Sequence, residues 1–379
     1  MKMKLARLLA ASATALAGLA IGGTASAAIR TLHPTGGAAD LANVRDVILA
    51  SSPGDTIILK ARSLSGQITP FNFTTMASGG AAVVDVDRLI IQGEIESKKD
   101  RIVTRILGPL TFANPGSYNA FDVRANEVEF KWILFDTFEA AIVVRPNMSK
   151  TIVQEIGTID CAYGIYGYGN NDQLLVKRCR MNIAGTSVGG NAAVTIQEGS
   201  QNCRVYENVF KGPGTELTVA AVIGVLEFNL DSPGGGTIVS DNLIRKFDAG
   251  IFMTSSNCQI SRNKVRLCFD GIDVVSEVSN GIFQGSQTVV NVLVADNDSI
   301  YHTDDGVNLV GVQDSSIVRN MVSPNGDYGI DCDESVMGTT STGNTLSGNV
   351  GTTSCSSLPL EESGTERRSA VPVADPIEP

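Results

Sequence analysis

Asparagine returns at one phase of short alternating runs through the second half of this 379-residue chain. The runs are VYENVF ending at Phe210, VSDNLI at Ile244, ISRNKV at Val265, LVADND at Asp298 and IVRNMV at Val322. Their asparagines are Asn208, Asn242, Asn263, Asn297 and Asn320, continued by Asn344, at spacings of 34, 21, 34, 23 and 24. A second phase is glycine followed by alternation, at Gly250, Gly271, Gly306 and Gly329, with spacings of 21, 35 and 23. Both series lengthen between Ser276 and Thr288, so a loop interrupts a unit of about 22 residues. A second insertion, Gly212 to Gly236, explains the first long interval.

Period-two runs with Gly and Asn turns, repeating at this interval, signal a parallel β-solenoid. The L-x-x-L-x-L pattern of leucine-rich repeats is absent, and a propeller blade needs about twice the length. One coil cannot bury its apolar side alone, so stacking supplies the core, at about 4.8 Å per coil. The repeated Asn then reads as a ladder of turn amides bonding along the stack, not as a catalytic set. At the N-terminal end, Ala38 to Ala50 carries Leu41, Val44, Val47 and Ile48 at helical spacing. A helix there would cover the open first coil.

Residues 1–27 combine basic Lys2, Lys4 and Arg7, an apolar stretch and Ala25-Ser26-Ala27, the pattern of a cleaved signal peptide. The expected organisation is therefore signal 1–27, cap and irregular coils 28–115, repeats 116–355 and a flexible tail 356–379 rich in Pro, Ser and Glu. No later run reaches the roughly 18 apolar residues of a membrane span. The expected mature protein is secreted or periplasmic, and a monomer. Its formal charge goes from −11 to −14 on loss of the signal, which argues against a nucleic-acid partner. Export permits disulfides. Of seven cysteines, Cys258 and Cys268 flank one run and Cys332 and Cys355 lie about one repeat apart. Either pair can bridge, or all can be small buried hydrophobes.

From about Ile29 to Val350 the chain resembles the right-handed parallel β-helix superfamily of pectate-lyase-like proteins. The residues that carry this are Pro53-Gly54-Asp55-Thr56-Ile57-Ile58-Leu59, Leu89-Ile90-Ile91-Gln92-Gly93 and the two repeat phases. The capping segment is similar to that of chondroitinase-B-like polyuronate lyases. The resemblance implies an all-β, right-handed parallel β-helix with an N-terminal capping helix, and an extracellular polysaccharide as partner.

Alternation places the second residue after each Gly outward: Phe252, Asp273, Asn308 and Asp331, with Tyr166 earlier. Asp270, Asp304 and Asp305 precede Gly, with His302 close by. Asp273, Asp304, Asp305, Asp331 and His302 are therefore the catalytic candidates. Asp270, Asp273 and Asp305 are candidate ligands for Ca²⁺, an oxygen-seeking cation. The third residue after Asn gives an outward basic ladder, Lys211, Arg245 and Arg266, which with Tyr166 and Phe252 forms the candidate substrate-binding set. Three functions fit. A polyuronate lyase would use the basic ladder and Ca²⁺ to neutralise the uronate. A hydrolase is suggested by Asp270-Gly271-Ile272-Asp273 with Asp304-Asp305, similar to polygalacturonases, although their Gly-His-Gly and Arg-Ile-Lys segments are missing. Tyr328-Gly329-Ile330-Asp331 is similar to alginate epimerases, with Cys332-Asp333 where those have Pro-His. The third is a non-catalytic glycan-binding or matrix protein.

Overall fold

The computed structural model describes residues 26–77, 79–96, 101–109, 118–184, 190–214, 222–228, 234–276, 288–355 and 360–361. Three parallel sheets of 13, 9 and 11 strands wind round one core, each coil giving one strand to each in turn. The coil after Thr237, for example, runs Ile238–Ser240 in the 13-stranded sheet, Leu243–Arg245 in the 9-stranded sheet and Ala249–Met253 in the 11-stranded sheet. The fold is a right-handed parallel β-helix, as the repeat predicts.

The Asn phase is the ladder expected. Asn242 donates from its backbone N and from Nδ2 to Oδ1 of Asn263, at 3.1 and 2.9 Å, and Nδ2 also reaches Val205 O. The same contacts join Asn208 to Asn242, Asn263 to Asn297, Asn297 to Asn320 and Asn320 to Asn344. Each Asn from 208 to 320 follows a residue with positive φ, Glu207, Asp241, Arg262, Asp296 or Arg319, so the amide braces a left-handed corner that these side chains adopt at a cost. The Gly phase has another cause. Gly250, Gly271 and Gly306 do not have positive φ; a Cβ there would lie 2.6, 2.3 and 2.8 Å from the carbonyl oxygen of the next coil's Gly. They let adjacent coils approach.

Inward columns fill the core. Ile142, Ile165, Val194, Val225, Ile251, Ile272, Val307 and Ile330 stand in one register column, all fully buried. The low aromatic content suits a core of Ile, Val and Leu, and the later coils follow it apart from the fully buried Phe210 and Phe247. The first coils hold edge-to-face phenylalanines, Phe73 with Phe138 and Phe121 with Phe135. The capping helix is Asp40–Leu49, with Leu41, Val44 and Ile48 buried on the solenoid end. Asp40 anchors it by accepting from Thr35 N, Gly36 N and Asn72 N.

Of the two cysteine pairings, Cys332 and Cys355 form the disulfide; Cys258 and Cys268 are free and buried, as are Cys161, Cys179 and Cys203. The expected tail begins with an extra rung, because Leu360–Glu361 pairs with Ser341-Thr342. Residues 356–359 and 362–379, like residues 1–25, most of the 276–288 loop and part of the 212–236 insertion, lie outside the described residues.

Two outcomes follow. Replacing Asn263 by Ala strands the buried groups that it joins, at about 1–3 kcal/mol per unsatisfied group. Thermal denaturation should show a lowered Tm, whereas Lys264→Ala, at an exposed strand position outside the left-handed corners, should change it little. Cys332→Ser opens a 23-residue loop, and a loss of about 3 kcal/mol is expected in denaturant titration.

Candidate functional site

The outer face of the 11-stranded sheet carries one register column that changes chemistry along the axis. Tyr166, Thr195, Leu226, Phe252, Asp273, Asn308 and Asp331 follow one another on successive coils. The predicted phase is therefore met for Tyr166, Phe252, Asp273 and Asp331. At the upper end Tyr166 packs edge-on against Tyr163, centroids 4.9 Å apart, and tilts against Tyr168 at 4.7 Å. Arg145 lies over the Tyr168 ring. In the middle, Leu226 and Phe252 pack on buried Ala192, Ile223 and Ala249.

At the lower end the carboxylates gather. Asp270, Asp304 and Asp305 each place one oxygen within 4.8 Å of the others. Backbone contacts hold them: Gly271 N donates to Asp305 O, Asp304 N to Phe269 O, and Tyr328 N to Asp305 Oδ1 at 2.9 Å. Asp273, on the strand opened by Asp270, is only 5% exposed, and its Oδ1 has no hydrogen-bond partner. Among the described residues none of these four carboxylates has an ion pair with Lys or Arg. Burial, then neighbouring carboxylates, push Asp270 up to about 7 and Asp305 to about 6, and Asp273 well above the usual range. Asp304 is raised as well, by burial and by Asp327 and Asp331. Asp331 is two coils from Asp273, with Asn308 between them, and bonds the Ser354 hydroxyl.

His302, expected beside the aspartates, is turned into the coil instead. It occupies a second turn ladder, in which His302 N donates to Asn325 Oδ1 and Asn325 N to Asn349 Oδ1. Nδ1 accepts from Cys268 N at 3.3 Å, and Nε2 lies 3.1 Å from Ser299 Oγ. Burial lowers its pKa to about 4, so the ring is neutral and its nitrogens are engaged in the scaffold. The basic ladder is real in register, Lys211 to Arg245 to Arg266, but it stands on the 9-stranded sheet. Arg266 faces Asp298 at 4.0 Å there.

Glu227 went unnoticed in the sequence. It points inward, fully buried, accepting from Thr237 Oγ1 at 2.6 Å and lying 3.4 Å from Cys258 Sγ. Burial pushes it up to about 7. It lies within the Gly212–Gly236 insertion, where the repeat phase is interrupted, and so carried no periodic signal. Tyr163 and Tyr168, also missed, were marked by the alternating Tyr163-Gly-Ile-Tyr166-Gly-Tyr168 run.

The fold has counterparts among solved structures. The DFA-IIIase from Arthrobacter chlorophenolicus A6 superposes with TM-score 0.59 at 13% identity, covering 87% of this chain and 84% of that one. The Dettilon tailspike protein gives 0.54 at 13%, covering 88% and 68%. The A-module of the mannuronan C-5 epimerase AlgE4 of Azotobacter vinelandii gives 0.52 at 12%, covering 81% and 85%. The chain is a parallel β-helix protein. At such identities these likenesses speak for the fold alone. No curated protein sequence matches. One family model, described as periplasmic copper-binding protein (NosD), matches residues 234–358 of the β-helix, about a third of the chain.

Among the described histidines and cysteines of the matched coils no copper ligand set is assembled. Their one histidine is the engaged His302, Cys332 and Cys355 are bridged, and Cys258 and Cys268 are buried apart on different sides of a coil. The metal-sized cluster among the described residues is the all-carboxylate trio. Imidazole and sulfur select copper, and carboxylates do not.

Glu227 makes a pH dependence. Its pKa in the folded chain is raised above the ordinary 4.5 of a glutamate, so its contribution is full below that value and is lost as pH rises through about 7. The groups facing it, Thr237, Cys258 and Ser255, carry no positive charge. The Tm should therefore be higher near pH 5 than near pH 8, and Glu227→Gln should flatten that slope. An unchanged slope in the variant would remove Glu227 as its source.

Proposed function

We propose that this chain is an exported protein that binds a polysaccharide along the outer face of the 11-stranded sheet and cleaves its glycosidic bonds at the aspartate cluster. The observation that carries this is the single register column from Tyr166 through Phe252 to Asp273, Asn308 and Asp331. It sets ring-stacking side chains and carboxyls along one line at about 4.8 Å per coil. Aromatic faces suit sugar rings, and the carboxyls supply acid and base.

The residues divide the work by environment. Asp270 and Asp305, raised by burial and by each other's neighbours, favour the protonated form needed to donate to a leaving oxygen. Asp331, less buried and on the coil after that of Asp305, is placed to act on a water. Acid–base cleavage is favoured over β-elimination because no Lys or Arg pairs with the cluster among the described residues, and the histidine is turned inward. The neighbours' names support carbohydrate work: an alginate lyase from Paenibacillus and the epimerase module share the fold. Export is supported by residues 1–27 and by the Cys332–Cys355 bridge, which suits an oxidising compartment. Among the described residues no helix is long and apolar enough to cross a membrane.

The purified protein should release reducing ends from one member of a panel of neutral and acidic polysaccharides, without the ultraviolet absorbance of unsaturated uronates. Asp305→Asn should lower the rate at least roughly a hundredfold, the scale of lost acid–base catalysis, while leaving polymer retention intact. Unsaturated ends would replace hydrolysis by elimination. Retention without any cleavage would make the protein a binder. N-terminal sequencing of the exported protein should begin at Ala28.

A further inference from the structure

The 9-stranded sheet turns outward a charge opposite to that of the whole chain, which is −11. One outward register column runs Asn182, Lys211, Arg245, Arg266, and the column beside it runs Arg180, Val209, Leu243, Lys264. Four consecutive coils therefore present five basic side chains; the next coil adds Asp298 and Ile300. Arg180 and Lys264 are exposed and form no ion pair among the described residues. Arg266 meets Asp298 only at 4.0 Å, and its Nε is buried without a hydrogen-bond partner. Between these cations lie the partly exposed aliphatics Val209 and Leu243. Apolar side chains border the patch as well. Met321, which bridges to Asp298 and so continues the second column, is 38% exposed. Leu267 and Tyr301 follow Arg266 and its register partner Ile300 at the corner, and each is 50% exposed.

We propose that this face docks the protein, as a peripheral contact, on an anionic phospholipid surface. Charge complementarity selects the sign of the partner. Lipid phosphates attract the clustered cations, and the acidic remainder of the chain, repelled by the same surface, fixes which side is presented. The apolar border selects a bilayer over a hydrated acidic polymer. Leu267 and Met321 carry no group that could hydrogen-bond a sugar, but they lose exposed apolar area by entering the headgroup boundary. Tyr301 has the apolar body and polar tip that suit the same depth. Strand pairing makes the patch rigid, one row per coil at about 4.8 Å. The docked sheet is not the one that carries the column from Tyr166 to Asp331, and docking there does not depend on any cleavage.

The test sediments the purified exported protein with vesicles of phosphatidylcholine alone and of equimolar phosphatidylcholine and phosphatidylglycerol. At low salt the protein should bind the mixed vesicles and not the neutral ones. It should be released at about 1 M salt, where charges are screened beyond about 3 Å. Arg180→Gln combined with Lys264→Gln should weaken binding roughly tenfold or more, the scale of two basic side chains at an anionic surface. Lys177→Gln, on the 13-stranded sheet, should not. Leu267→Asn combined with Tyr301→Asn should weaken binding severalfold and leave the remainder salt-sensitive; asparagine suits the positive φ of both positions. All four positions are exposed, so both pairs should melt with the parent. No sedimentation with mixed vesicles, equal binding to neutral ones, or full binding by the Arg180 and Lys264 variant overturns the docking face. Retention on an acidic polysaccharide that depends on Arg180 and Lys264, without vesicle binding, also overturns it and assigns the face to a polymer. Any cleavage of a soluble polysaccharide should be equal in the parent and in that variant, so vesicle binding without cleavage upholds the docking face while the hydrolase falls.

Discussion

The hydrogen bonding of each coil to the next is the constraint on which everything else in this molecule depends. Parallel pairing fixes every residue opposite a partner one coil away, and the Asn208-to-Asn344 amides lock that register at one corner. A slip of one residue would turn every inward side chain outward. The amides prevent it because each buried Nδ2 has two acceptors that exist only in register. The glycines cooperate by letting carbonyls pass where a Cβ would collide. Register, in turn, converts a linear sequence into columns, and a column is the unit in which this protein carries its core, its surface charges and its candidate site.

Columns make electrostatics additive. Where opposite signs meet, as in Arg178–Glu155, Arg262–Asp241 and Arg319–Asp296, each surface ion pair contributes little by itself. Where signs repeat, repulsion is built into the scaffold. The lower end of the 11-stranded sheet tolerates Asp270, Asp304 and Asp305 together because the core columns beneath, Ile251, Ile272, Val307 and Ile330, are fully buried and carry the stability. A natural chain retains such a cost where the charges have a use, and clustered carboxyls with raised pKa are a common form of it.

How much of this was legible follows from the same logic. The Asn and Gly phases showed the coil, its insertions and which residues share a face, so the outward column from Phe252 to Asp331 could be read from alternation. The side of the solenoid to which a corner residue points could not. His302 looked like a surface residue because it sits among Tyr301, Thr303 and Asp304, three residues at least partly exposed. Its role shows only once Asn325 and Asn349 are stacked below it. Glu227 was hidden for a related reason: an inward carboxyl is contrary to the expected pattern of the strand, and its satisfying groups, Thr237 and Cys258, come from other turns. The disulfide was undecidable because both cysteine pairs flank plausible runs. In space Cys332 and Cys355 lie on adjacent coils, with Cα atoms 4.9 Å apart, whereas Cys258 and Cys268 lie at different corners of one coil.

The position of that disulfide bears on the acidic face. A solenoid is weakest at its ends, where the last coil has one neighbour and its edge groups lose partners. The capping helix answers this at the N-terminal end. At the other end, Asp331 closes the outward column and bonds Ser354, while Cys332, the next residue, is tied covalently to Cys355 and donates its N–H to Ser354 Oγ. The bridge thus fixes the coil that faces the carboxylates from below. Were that coil free to fray, Asp331, and through Tyr328 N the Asp305 carboxyl, could move away and relieve the repulsion. Held by the bridge, the aspartates stay converged, and the chemistry proposed for them requires that they do.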